Sequence, residues 1–94
     1  MQDNDILKTY IKEKRYEDCI NLLKNKIIFY VVKEIQKKDS SIQYTTVSDL
    51  ISTSNYYLNN SYIAQSLEQA LREEDDLLEK IKALLNICEL YNIK

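Results

Sequence analysis

Glycine, proline, histidine and tryptophan are all missing from this 94-residue chain, and most of these absences remove a class of structure or chemistry. Without glycine there is no phosphate-binding loop, no Gly-x-Ser-x-Gly elbow and no dinucleotide fingerprint. Without histidine there is no Ser-His-Asp or Cys-His nucleophile pair and no His-ligated metal site. Without glycine or proline, the turns fall to Asn, Asp and Ser. Cysteine is scarce. Cys19 and Cys88 are far apart, lack metal-ligand spacing and each falls in an apolar stripe, which reads as two buried reduced thiols with a disulfide as the alternative. Long apolar runs are missing too. The longest, Ile27-Ile28-Phe29-Tyr30-Val31-Val32, is bracketed by Lys26 and Lys33 and falls well short of a membrane span. The opening Met1-Gln2-Asp3-Asn4-Asp5 lacks the basic and then apolar stretches of a signal peptide, so the expected location is cytoplasmic, with no membrane partner.

What remains is ordinary globular composition, 45% hydrophobic and 30% charged, of a size for one domain over residues 1–94. The net charge of −2 points to no partner by itself. Residues 1–44 hold nine Lys/Arg against seven Asp/Glu, and residues 45–94 hold four against eight. A nucleic-acid-binding face needs a larger basic excess, so no nucleic acid is expected.

Apolar spacing predicts helices almost throughout, and hence an all-α fold: a compact antiparallel bundle of four or five helices. The first covers about Asn4 to Glu13, with Ile6, Leu7, Tyr10 and Ile11 on one stripe and Asp3 or Asn4 as cap. The second, about Tyr16 to Lys37, is longest. Tyr16, Cys19, Ile20, Leu23, Ile27, Tyr30, Val31 and Ile35 form one broad face, which Leu22, Ile28, Phe29 and Val32 widen beyond the needs of one partner helix. Asp39 to Thr45 is a polar loop. Thr46 and Asp49 make a capping-box-like pair for a third helix, whose Ser52, Thr53 and Ser54 predict a short or frayed element. Asn60 or Ser61 caps the fourth. The acidic run Glu73-Glu74-Asp75-Asp76 either interrupts the chain before a fifth helix capped by Asp76 or lies within one long helix from Ser61 to about Tyr91; a break is favoured because acidic residues suit a helix N-terminus. The second and last helices are expected to form the central pair, burying Leu23, Ile27, Val31, Ile81, Leu85 and Cys88.

Two resemblances sit on these residues. Lys12 to Leu23 is similar to the turn of a tetratricopeptide repeat, with Tyr16 as the aromatic and Cys19 as the small residue that lets two helices approach. The 34-residue repeat itself is absent, and the second helix is too long for it. Over more of the chain the pattern resembles the HEPN-like helical bundle: a short first helix, a long apolar second, a third starting at Thr46-Val47-Ser48-Asp49-Leu50, and an amphipathic last helix. Catalytic members of that family are RNases with an Arg followed by His. Here only Arg15 and Arg72 are present, neither with a His, and Arg72 is followed by four acids. The resemblance therefore implies a non-catalytic member that partners a nucleotidyltransferase-type protein or dimerises.

The remaining features carry little chemistry. Four consecutive acids on a helix diverge, so a solvated turn is expected in place of a Mg²⁺ or Ca²⁺ site. Lys26, Lys33 and Lys37 share a face, but Glu17 and Glu34 interleave and no stacking aromatics accompany them, which reads as a solvated face. Tyr44, Tyr56, Tyr57 and Tyr62 crowd one region, either covering the third helix or forming a contact patch. The expectation is a non-enzymatic interaction module of bacterial type with no cofactor, no metal and no small-molecule substrate, binding a protein partner or its own copy. Some of Leu22, Ile28, Phe29, Val32, Tyr56 and Tyr57 are expected to form the exposed partner-binding patch. The alternative is an immunity-type helical protein that neutralises a basic toxin through its acidic run.

Overall fold

The computed structural model describes residues 3–43 and 46–94, with side chains from residue 5 onward. Five helices follow one another: α1 (Asp3–Lys12), α2 (Tyr16–Gln36), α3 (Val47–Leu58), α4 (Tyr62–Glu73) and α5 (Leu77–Leu90). No strand occurs among the described residues. The fold is an all-α bundle, as apolar spacing predicts.

The bundle is organised around α2. It contributes Cys19, Ile20, Leu23, Ile27, Ile28, Val31, Val32 and Ile35 to the core, more than any other helix. It packs against each of the other four helices, and most extensively against α5. The pairs α3–α4 and α4–α5 close the other side, while α1 touches only α2 among the described helices. Leu7, Leu50, Ala64, Leu67, Ala70, Ile81, Leu84, Ile87, Cys88 and Ile93 complete one continuous cluster. Burial of this kind supplies the main driving force, about 25 cal/mol per Å² removed from water. The Cys19 thiol points at the Leu7 carbonyl at 4.0 Å, so α1 sits close on the start of α2.

Helix ends follow local chemistry. Asp76 Oδ1 accepts from the N–H groups of Leu78 at 2.9 Å and Glu79 at 3.1 Å, which starts α5 and separates it from α4. Thr46 Oγ1 accepts from Asp49 N at 3.3 Å and donates to Asp49 Oδ2 at 3.0 Å, a capping pair in which the acid reaches the hydroxyl. Ser61 sits at the cap position of α4, but its hydroxyl takes a 2.6 Å bond from Gln65 Nε2 and caps no backbone N–H. Thr46 caps a full 12-residue α3, not a frayed one. Its Ser54 is 1% exposed, and the Oγ has no partner among the described residues. The expected caps Asp3 and Asn4 of α1 lie outside the described side chains.

The missing glycines are replaced at three left-handed positions: Lys14 (φ 60°), Asn59 (φ 57°) and Asn92 (φ 54°). After α1, Lys14 N donates to Ile11 O at 3.1 Å and Arg15 N to Tyr10 O at 2.7 Å, the paired bonds of a Schellman end. The apolar contact that usually accompanies this motif is here a guanidinium over a ring, with Arg15 Cζ 4.4 Å from the Tyr10 centroid. After α5, Asn92 N donates to Glu89 O at 3.2 Å and Ile93 N to Cys88 O at 2.8 Å, and Ile93 is buried. Asn tolerates this region; Lys does so at greater strain.

Three sequence expectations need correction. Leu85 is 39% exposed, whereas Leu84 is fully buried. One residue turns a helix by about 100°, and α5 aims Ile81, Leu84, Ile87 and Cys88 inward, which leaves Leu85 at the edge. Ile28 and Val32 are buried, not part of an exposed patch. They lie in the second half of α2, and α2 is packed by four helices, which together cover more of its circumference than a single stripe.

Leu84→Ala should lower unfolding free energy by about 2–5 kcal/mol and Leu85→Ala by about 1 kcal/mol or less, measured by urea titration. Lys14→Gly should raise it by about 0.5–1 kcal/mol, because glycine adopts the left-handed conformation without Cβ strain.

Candidate interaction surface

The partner-binding candidates separate by position. Ile28 and Val32 are core residues. Leu22 and Tyr57 are half-buried and pack against the core. Phe29 is 61% and Tyr56 80% exposed. Exposed apolar residues outside the six candidates are Tyr62, Leu90, Leu78, Leu85 and Ile11. Leu78 and Leu90 fall off the buried stripe of α5; their signal in the sequence is their spacing from Ile81 and Leu84, and it was legible only once Leu84 had fixed the inward direction. Tyr44, another member of the tyrosine group, lies outside the described residues.

Two local arrangements shape this surface. On α2, Lys33 Nζ stands 4.6 Å from the Phe29 ring centroid, so ring and ammonium form one ridge one turn apart. On α3, the rings of Tyr56 and Tyr57 meet edge to face at 4.8 Å. Tyr57 is fixed by its hydroxyl, which donates to Asp39 Oδ2 at 2.9 Å and ties the α2–α3 connection to the end of α3. Asp39 also accepts from Ser41 Oγ at 2.6 Å and Ser41 N at 3.0 Å.

These bonds shift both titrations. The Ser41 hydroxyl, then its N–H, then the Tyr57 hydroxyl hold Asp39 below its ordinary value. The same carboxylate, with partial burial, raises the Tyr57 phenol. For Asp39, the lowered value means stabilisation that is present above its unfolded pKa and lost as pH falls through its folded one. For Tyr57, the raised value means stabilisation present below its unfolded pKa and lost as pH rises through its folded one. The latch is therefore intact at neutral pH.

Grooves flank α5. Between α4 and α5 lies an open groove of about 250 Å³, with Ala70, Ala83 and Ile87 along it, Leu90 exposed at its side, and Glu73 and Glu74 among the lining residues. Glu73 accepts from Gln69 Nε2 at 3.1 Å and stands 3.8 Å from Arg72. Arg72 is engaged at 2.8 Å by Glu68. Glu74 is half-buried with no partner among the described residues. Both glutamates close α4 at its C-terminal end, where the helix dipole is negative and cations are favoured. A second groove, of about 530 Å³, runs between α1 and α5 over Leu7, Leu23, Cys88 and Ile93.

The chemistry available is limited. Cys19 and Cys88 are free and buried. Burial pushes both thiols above their ordinary range, with Asp18 adding to the effect at Cys19 and Lys26 opposing it at Cys88. A thiol so placed is a poor nucleophile. Among the described residues no group of three or more Cys, Asp or Glu is placed to hold a metal ion. No described helix is long and apolar enough to cross a membrane. Of the lysine stripe, Lys37 is paired with Glu34 at 3.1 Å and Lys33 lies on Phe29.

Comparison of the chain with protein families, curated proteins and solved structures found no match.

Carbon-detected NMR titration should find the Asp39 carboxyl below the ordinary carboxylate range. Ser41→Ala should raise its midpoint more than Tyr57→Phe does. The stability difference between the chain and Tyr57→Phe should shrink as pH falls through the Asp39 midpoint.

Proposed function

We propose that this chain is a non-enzymatic protein-interaction module that works by associating with a second copy or with a partner of the nucleotidyltransferase type, in a bacterial cytoplasm. The observation that carries this reading is the exposure of large apolar side chains, Phe29, Tyr56, Tyr62 and Leu90, on a bundle whose core is already closed by other residues. Such side chains keep most of their surface in water within one chain and bury it only against a partner. The helix order, short, long and then an amphipathic close, supports a non-catalytic HEPN-like bundle. The absence of histidine argues against the RNase activity of that family's catalytic members.

A second reading is neutralisation of a basic toxin. The half-buried Glu74 favours it, since this carboxylate stands at the negative end of α4 and has no cation partner among the described residues, whereas the neighbouring Glu73 has Arg72 at 3.8 Å. A toxin gene beside this one would support it, and a nucleotidyltransferase gene the first reading.

Light scattering over the micromolar range should show a mass rising toward twice that of the chain. A mass that stays at the single-chain value throughout would remove self-association and leave only a heterologous partner.

A further inference from the structure

We propose that the α4–α5 groove of one copy receives the Phe29–Lys33 ridge of a second copy. The inference rests on the self-association reading above and names the two surfaces that meet.

The ridge is a paired apolar and cationic feature. Phe29 is 61% exposed, and Lys33, one turn on, stands over its ring. Phe29 lies on the polar side of α2 with Asn25 and Lys33, where no neighbouring helix of its own chain covers it.

The groove is the complement of that pair. Ser66, Ala70 and Ala83 are short, so the seam between α4 and α5 is left open over about 250 Å³. An apolar cavity of about 150 Å³ already takes a benzene ring. Glu73 and Glu74, from the last turn of α4, also line the groove. Glu74 has no cation partner among the described residues, and Arg72, two residues before it, is engaged by Glu68 and Glu73. Glu73 is compensated within the chain by Gln69 and Arg72, but the Glu74 carboxylate at the negative end of α4 has no such return, and an incoming ammonium satisfies it. Lys33 Nζ lies 4.6 Å from the Phe29 centroid, so ring and ammonium enter as one feature: seating the ring between the helices brings the ammonium to the acidic end of the groove at Glu74. The charge of the whole chain runs the same way. Residues 1–44, which carry the ridge, have a basic excess, and residues 45–94, which carry the groove, an acidic one. Opposed charge of this kind orients two copies before contact.

Ridge and groove are different patches: a two-fold axis that makes the contact twice closes an isologous dimer, whereas a single ridge-to-groove contact is heterologous and extends.

The test uses the full chain and sedimentation at low and high salt. Phe29→Ala and the double substitution Glu73→Lys/Glu74→Lys should each weaken self-association by about tenfold or more, and added salt should weaken the unmodified chain. Both changes are at exposed or half-buried side chains, and circular dichroism confirms the fold of each variant. Mixing the two variants should restore a 1:1 species, because the ridge of one and the groove of the other remain intact. Adding Lys33→Glu to the glutamate variant should recover association by reversing the charges on both sides. Self-association that persists unchanged in either variant, or a mixture that stays monomeric, overturns this interface while leaving self-association standing. An unmodified chain that is monomeric throughout overturns both.

Discussion

The structure depends on how α2 is buried. An amphipathic helix with one narrow stripe needs one neighbour. The buried positions of α2 instead sweep round its axis, from Cys19, Ile20 and Leu23 near its start to Ile28, Val31, Val32 and Ile35 near its end. No single partner can cover such a surface, so the chain folds back on it from several directions. Every other helix touches α2, and α1 touches nothing else among them. The stability of a small domain is a narrow difference between large terms, and α2 contributes more buried residues to the favourable one than any other helix.

Building such a bundle without glycine or proline places demands on its connections. Asn59 and Asn92 take the left-handed residue after a helix that glycine usually provides, and Lys14 does so with more strain. The bonds around Lys14 are nevertheless complete, and Arg15 stacked on Tyr10 seals the turn. The α2–α3 connection is held differently, by Asp39, which gathers Ser41 and Tyr57. Local polar chemistry here replaces backbone permissiveness.

The surface divides along the same lines as the core. Residues that widen the apolar face of α2 are drawn inward wherever a helix lies above them. Phe29, on the side that no helix covers, stays out and stacks under Lys33. On the opposite side of the sequence, α4 and α5 leave a groove along their seam because the side chains there are short. The chain thus presents a knob of one chemistry and a hollow of another.

Helix order and most boundaries were legible in the sequence, because they follow from spacing and caps that act within a few residues, while the number stood at four or five until the break between α4 and α5 was seen. Asp76 separates α4 from α5 by bonds to residues two and three places on, and Thr46 opens α3 the same way. The absence of histidine and glycine likewise settled which chemistries were closed. Which way each helix turns was not local. Leu84 and Leu85 are equivalent by composition and differ only in which one faces α2, and Ile28 and Phe29 differ in the same manner. Inward direction is decided by the packing of neighbours distant in sequence, within a rotation of one residue. The partner-binding candidates therefore mixed core with surface, and Leu78, Leu90 and the α4–α5 groove emerged only from the tertiary arrangement of the helices.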